Sequence, residues 1–329
     1  MDHNSFFILS IILLAYCFDF INGFHDAANS IATIVTTGVL TPRQAVLWAA
    51  FFNFIAFIFF NLMVAKTIGN GLIDPSIIDA NLIFAGLIGA IVWNLITWFL
   101  GLPSSSSHAL IGGLAGAALT KAGISSLKLS GFIKVAIGIF ISPLAGILAG
   151  LALTFVFTRL ARNSNEKKKV RLFKSFQLAS SAFLSLTHGG NDAQKTMGVI
   201  AVLLFSSSWL DGPFYVPFWV VISCHAMISL GTLTGGWRIV RTMGTKITPL
   251  NTLNGCAAET GAAAIIFAAT DFGIPVSTTQ TVTGSIAGVG LIHGLSGTQW
   301  STFKTIFLSW LLTIPAAGLV SSLIIFLMN

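Results

Sequence analysis

The feature that most constrains this chain is the recurrence of unbroken apolar runs. Ala45 to Val64, Leu82 to Leu100, Phe132 to Phe157 and Thr305 to Leu327 are such stretches, and a helix needs about 20 mostly apolar residues to cross a bilayer. Charged residues make up 8% of the 329 positions, against about 25% in an ordinary soluble domain. So few charges cannot coat a soluble particle. A membrane β-barrel would show short alternating strands, and these runs are continuous. Helices alone satisfy their backbones in lipid. The expected fold is therefore all-α, a polytopic membrane bundle of about twelve helical segments. No basic n-region precedes the first apolar run, so that run is expected to remain as a span. Cys17, Cys224 and Cys256 have no metal-like spacing and read as small buried side chains.

The formal charge of +7 suggests a polyanion partner until its distribution is considered. Seven of the 17 basic residues lie between Arg159 and Lys174. Basic segments resist translocation, so residues 159–174 are expected to form a cytoplasmic loop, on the same side as Arg238, Arg241 and Lys246. Nucleic acid is not an expected partner.

That segment divides the chain into 1–158 and 175–329, and the two parts repeat. Gly23-Phe-His-Asp-Ala-Ala-Asn-Ser30 aligns with Gly189-Gly-Asn-Asp-Ala-Gln-Lys-Thr196, which superposes Asp26 on Asp192. Gly101-Leu-Pro-Ser-Ser-Ser-Ser-His108 aligns with Gly273-Ile-Pro-Val-Ser-Thr-Thr-Gln280. Each half thus has an Asp-bearing, glycine-broken apolar segment followed by a proline and hydroxyl break. Interrupted helices at matching positions point to a transporter's binding site. Leu82 to Thr120 and Gly261 to Leu291 read as re-entrant hairpins.

A carboxylate near the bilayer centre costs at least about 2.5 kcal/mol, so Asp26 and Asp192 need partners or water. Otherwise each is a cap at a helix end. Asn22, His25 and Asn29 crowd the first, and His188, Asn191, Gln194 and Lys195 crowd the second. These clusters suit hard cations such as sodium or magnesium, or oxyanions, better than zinc. Lys195 stands where the first repeat has Asn29. It either donates to an anion, replaces a cation, or forms a salt bridge with Asp192. Ser105, Ser106 and Ser107, and likewise Ser277, Thr278 and Thr279, open helices after a proline. Free N–H groups, about half a positive charge and added hydroxyl donors make such ends anion sites. The alternative is that these residues cap and pack. Glu259, aligned through Thr41-Pro42 and Thr248-Pro249 opposite Phe52 or Asn53, reads as a third ion ligand or a structural glutamate. Asp19 stands two turns before Asp26 as a supporting residue. His108 and Gln280 occupy matching places after the hydroxyl runs.

At these residues the chain resembles the PiT family of inorganic phosphate transporters, whose duplicated Gly-x-(Asn/His)-Asp-x-x-Asn signature is matched by Gly23 to Asn29 and by Gly189 to Lys195. The resemblance implies an inverted-repeat bundle with a central phosphate site. It implies phosphate binding by Asp26, Asn29, Asp192 and the two hydroxyl runs, with Lys195 beside them. Asn22, His25, Asp26, Asn191, Asp192 and Glu259 are the expected coupling-ion residues. Two departures bear on the coupled cation: Asn53 stands where sodium-coupled members have glutamate, and Lys195 replaces a frequent asparagine. Coupling to protons, to sodium, or through a metal-phosphate complex is open on this reading. Phosphate and membrane lipid are the expected partners, a homodimer is an expectation from general precedent, and a bacterial inner membrane is the expected location. Sulfate or another tetrahedral oxyanion is the alternative cargo, and an anion channel the alternative mode. No His-Glu-x-x-His or Gly-x-Ser-x-Gly pattern occurs, so no catalytic residue and no organic cofactor are expected.

Overall fold

The computed structural model describes residues 3–163 and 165–328. Among them the chain forms thirteen α-helices: α1 (His3–His25), α2 (Ala27–Thr36), α3 (Pro42–Ile55), α4 (Met63–Gly71), α5 (Ala80–Leu100), α6 (Ser106–Ala122), α7 (Leu129–Leu160), α8 (Glu166–Ser206), α9 (Phe218–Thr234), α10 (Trp237–Thr245), α11 (Thr252–Asp271), α12 (Thr278–Gly290) and α13 (Trp300–Met328). An isolated bridge between Ile73 and Leu127 is the extended pairing found among the described residues. Four stretches are long and apolar enough to cross a bilayer: Ser5–Thr36, Ala80–Leu100, Leu129–Leu160 and Trp300–Met328. Two bent pairs, α3 with α4 and α9 with α10, bring the number to six.

The element order repeats. The α1–α2 pair matches α8, and α3 to α7 match α9 to α13 in turn. The turns between them repeat in conformation as well. Gly101 and Gly273, which end α5 and α11, have φ +68° and +67°, and Gly123 and Gly294 have +76° and +79°. These left-handed values favour glycine because it has no Cβ to clash. Asp79 caps α5 by accepting from the Leu82 N–H at 3.0 Å, and Asn251 caps α11 by accepting from Asn254 at 2.9 Å. Pro143 and Pro315 lie inside α7 and α13.

Four sequence expectations are corrected. Among the described residues, most of 159–174 is helix and the expected loop shrinks to the link between two helices: α7 runs to Leu160, α8 starts at Glu166, and Lys167 to Lys174 are helical. Asn165 accepts from the Lys167 N–H at 3.2 Å, and lysine and arginine are good helix formers with no glycine or proline among them to stop the turn. The second Asp-bearing segment is not broken either, since α8 continues through Gly189 and Gly190. Those glycines serve close packing. A Cβ at Gly189 would come 2.6 Å from the Asn53 carbonyl oxygen, and one at Gly190 would come 2.3 Å from the Phe60 ring. Glu259 does not align with Asn53, because α11 matches α5 and α3 matches α9. Cys17 is exposed, whereas Cys224 and Cys256 are buried. In the first hairpin, α5 is long enough to span on its own, while α12, at 13 residues and about 20 Å, is too short to do so.

Between helices in lipid there is little hydrophobic drive, so association relies on small residues that allow backbone contact. Here that contact exchanges elements between the halves. Helix α6 packs on α13, where a Cβ at Gly112 would lie 2.5 Å from the Ile314 oxygen and one at Gly116 would lie 2.1 Å from Gly318. Helix α12 packs on α7, where Gly284 meets Pro143 at 2.3 Å and Gly288 meets Ile147 at 2.1 Å. The same positions are used in both interfaces. Reciprocity of this kind is what a two-fold relation between the halves requires.

Candidate functional site

The two hydroxyl runs meet the two aspartates where α6 and α12 begin. In each run the first hydroxyl residue caps its helix: Ser105 Oγ accepts from the His108 N–H and Ser277 Oγ from the Gln280 N–H, both at 3.2 Å. For these two positions the capping alternative holds. The next two residues of each run turn to the carboxylates and their neighbours. Ser106 Oγ donates to Asp26 Oδ2 at 3.1 Å, and Thr278 Oγ1 donates to Asp192 Oδ2 at 3.0 Å. The third residue reaches the other half: Asn29 donates to Thr279 Oγ1 at 3.0 Å and to Thr278 Oγ1 at 3.3 Å, while Lys195 donates to Ser107 Oγ.

Asp192 is also ion-paired to Lys195, whose ammonium group bonds the Val276 carbonyl at 3.3 Å. His188 Nε2 stands 3.2 Å from Asp192 Oδ2. Asp26 is held by His25 Nδ1 at 2.7 Å, and His25 Nε2 lies 3.0 Å from Thr97 Oγ1. Asp26, Asn29, Ser106, Ser107, Asp192, Lys195, Thr278 and Thr279 are all at most 4% exposed. These side chains are buried from solvent.

One carboxylate oxygen from Asp26, one from Asp192 and a ring nitrogen of His188 lie within 4.8 Å of one another. Two anionic oxygens and an imidazole at that spacing can hold a cation. Lys195 already supplies a positive charge to the same carboxylate, so a cation there competes with the lysine or moves it. Around these groups the N-termini of α6 and α12 bring partial positive charge. Small hydroxyl donors, two acids, a lysine and two helix ends form a centre that can take an oxyanion and a cation together.

Other expected residues lie apart. Asn191 Nδ2 donates to Thr270 Oγ1 at 2.8 Å, toward α11 and away from Asp192. Its position one residue before Asp192 rotates it to another face of α8. Asn22 sits one turn before Asp26, with its side-chain oxygen unpartnered within the described residues. Glu259 occupies a separate polar pocket, where Thr33 at 2.5 Å, Gln177 at 3.0 Å and Ser180 at 2.5 Å all donate to it. It connects to the centre through α2, on which Thr33 follows Asn29 by one turn, and through α8, which carries Gln177, Ser180 and Asp192. Asp19 accepts from Thr196 at 2.9 Å, behind Lys195. His108 and Gln280 meet across the halves at 3.5 Å. Thr97 was not legible in the sequence, and Asn53 stood out there only as a departure from the sodium-coupled members. Thr97 bonds His25, and Asn53 Oδ1 lies 3.2 Å from His188 Nδ1. Each is a buried polar residue within an apolar stretch, Thr97 one turn after Asn94, and that setting was the available signal.

The fold and this centre define an integral membrane protein of two like halves around one buried polar site. A model of the phosphate transporter family PHO4 matches residues 22–321. The chain is 56% identical, over 97% of its length and 96% of the relative's, to a "Probable low-affinity inorganic phosphate transporter" of Rhizobium meliloti (strain 1021). It is 41% identical to a protein of the same description in Bacillus subtilis (strain 168), over 100% of this chain and 99% of that one. A solved structure titled "The sodium-dependent phosphate transporter" superposes with a TM-score of 0.87 at 25% identity and covers 98% of each chain. The chain belongs to the phosphate transporter family, and it is a transporter, not an enzyme.

Proposed function

We propose that this protein is a secondary active transporter that imports inorganic phosphate together with a cation, by alternating exposure of the site between α6 and α12. The observation that carries the reading is the reciprocal bonding at that site, where hydroxyls at two facing helix N-termini bind Asp26 and Asp192. Phosphate takes the hydroxyl and N–H donors on this reading, and a cation takes the carboxylates. Lys195 joins either the anion or Asp192 as the load changes.

A cation is needed on physical grounds. Two carboxylates beside an anion site repel phosphate unless positive charge lies between them. An inside-negative potential also opposes a dianion by about 2.3 kcal/mol per charge per 100 mV. Three protons or sodium ions with each dianion, or a divalent metal carried with the phosphate and one proton, meet both requirements. The grouping of Asp26, His188 and Asp192 supports coupling there.

An inverted arrangement of the halves is part of this proposal. Helices α7 and α12 run parallel, since Gly284 and Gly288 advance along Pro143 and Ile147 in the same direction. A short link of residues 123–128 joins α6 to α7, and short links join antiparallel helices. Then α6 opposes α12, its own counterpart, as an inverted repeat demands. The bacterial relatives and the basic start of α8 support an inner membrane with Arg159 to Lys174 in the cytoplasm.

The test is uptake of radiolabelled phosphate by proteoliposomes, with a proton gradient, sodium and magnesium imposed one at a time. Accumulation against a gradient under one condition is expected and names the driving ion. Accumulation of sulfate in place of phosphate, or only downhill flux, would overturn the reading. Ser106→Ala is expected to weaken apparent phosphate affinity about tenfold or more, because a hydrogen bond to a charged group is worth about 1.5–3 kcal/mol. An unchanged KM would assign that hydroxyl to packing.

A further inference from the structure

A cavity of about 680 Å³ opens beside the second hairpin, between α4, α7 and the α11–α12 turn, and lies outside the centre described above. Glycines contribute to its lining, with Gly131 packed against Gly71. Gly71, Gly131 and Gly138 line it, and a Cβ at Gly138 would meet nothing within 4 Å. Its rim is apolar and outward-facing, with Ile137 50%, Ile141 57% and Phe272 77% exposed. In a membrane protein such a rim faces lipid. Lys128 and Lys134 line one end, and Val276, whose carbonyl oxygen accepts from Lys195, lines the other.

The depth of the cavity follows from helix register. Close contacts of α12 with α7 place Thr281 beside Gly146 and Gly284 beside Pro143, so α12 begins near residue 140 of α7. That is close to the midpoint of a 32-residue helix. At 1.5 Å per residue, Lys134 stands about 9 Å and Lys128 about 18 Å from that level. Half a hydrocarbon core is about 15 Å, so the two lysines bracket the headgroup boundary. The arms of the groove are thus matched to one leaflet.

The matching place beside the first hairpin has no such lysines. The positions matching Lys128 and Lys134 are Gln299 and Thr305. The hairpin turns are held alike, by Thr67 on the Gly273 oxygen and Thr242 on the Gly101 oxygen, each at 2.8 Å. Four residues before Thr242, Arg238 bonds the Phe99 oxygen at 2.6 Å and covers the Phe99 ring at 4.6 Å. Four residues before Thr67 stands Met63, which offers neither contact.

We propose that this groove binds an anionic phospholipid of the leaflet opposite the Arg159 to Lys174 cluster, its phosphodiester at Lys134 and Lys128 and one acyl chain lying along α7 to the Val276 turn. Basic pockets between membrane helices recognise such headgroups, and lysine stems reach the interface from within the span. Lys128 also serves Asp74, whose carboxyl is held below the ordinary carboxylate range by hydrogen bonds from the Ser76 amide and hydroxyl and by the Lys128 charge. The exposed Lys134 therefore carries most of the headgroup contact. The bound chain fills the space into which the Gly273 to Val276 turn would otherwise relax, and so steadies the carbonyl that holds Lys195.

The experiment is native mass spectrometry of the detergent-purified protein equilibrated with phosphatidylglycerol or phosphatidylcholine, followed by uptake assays in vesicles of each lipid. Wild type is expected to retain one phosphatidylglycerol, and Lys134→Gln at least fivefold less. Gly138→Leu, which fills the groove, is expected to retain none, and Lys246→Gln to behave as wild type. Phosphate uptake is expected to be several-fold higher with phosphatidylglycerol for wild type but not for Lys134→Gln. Equal retention of both lipids, or retention unaffected by Lys134→Gln and Gly138→Leu in variants that stay monodisperse, would overturn the site. Equal uptake in both lipids would overturn its link to the hairpin. Retained phosphatidylglycerol with no phosphate uptake in any vesicle would leave the groove standing and remove the transport reading instead.

Discussion

Asp192→Asn is expected to reduce phosphate uptake to the level of empty vesicles. Asp192 binds Lys195, stands beside His188, and accepts from Thr278 at the head of α12. Lys195, His188 and the head of α12 therefore meet at its two oxygens. Substitution also strands the Lys195 charge, and breaking a buried pair at one partner costs about 3–5 kcal/mol. A second variant separates function from folding. Asp192→Asn combined with Lys195→Asn removes both charges and gives Lys195 the residue of its counterpart, Asn29. That protein is expected to stay inserted and monodisperse and still to transport nothing. Wild-type uptake by either variant would take Asp192 out of the mechanism.

Gly288→Leu is expected to leave little folded protein, with Gly116→Leu behaving alike. At both positions a Cβ would come 2.1 Å from a backbone oxygen of the partner helix, Ile147 or Gly318. No rotamer relieves a clash between backbones, so the helices must separate along their length. Overpacking costs typically about 1–3 kcal/mol where side chains can yield, and here they cannot. Size-exclusion profiles and thermal unfolding in detergent provide the measurement. Gly138→Ala, in open space, is the control, and it is expected to stabilise α7 by up to about 1 kcal/mol through helix propensity. A Gly288→Leu protein with the wild-type profile would mean that the α7–α12 contact is looser than described.

Local chemistry was legible in the sequence wherever a residue's role depends on its neighbours in the chain. The proline and hydroxyl runs announced two helix starts, and the paired aspartates announced a buried polar centre. The split within each run, with Ser105 and Ser277 capping while Ser106 and Thr278 face the acids, follows from one turn of geometry and was not separated from the motif alone. Gly189 and Gly190 misled because glycine breaks a helix in isolation but admits a neighbour in a bundle. Their neighbours, Asn53 and Phe60, lie more than a hundred residues away in the chain. Glu259 was misaligned because Thr-Pro pairs begin many helices, and only the complete order of elements fixes the register. The meeting of Asn29 with Thr279, and of Lys195 with Ser107, is a property of the folded pair of halves.

The exchange of terminal helices also has a consequence for synthesis. Helix α6 is complete at Ala122, yet its partner α13 begins to emerge only after Trp300, 178 residues later. At roughly 5–20 residues per second the ribosome needs about 9–36 s to make that interval. Throughout it a helix headed by Ser106 and Ser107 and lined by Gly112 and Gly116 has no permanent neighbour on that face. Helix α7, by contrast, is a long apolar span that waits in lipid at no cost until α12 arrives. The first hairpin is thus the segment most open to misinsertion and to membrane proteases while the chain is being made. Truncated chains ending before α13 should be degraded fastest, however well their first seven helices are inserted.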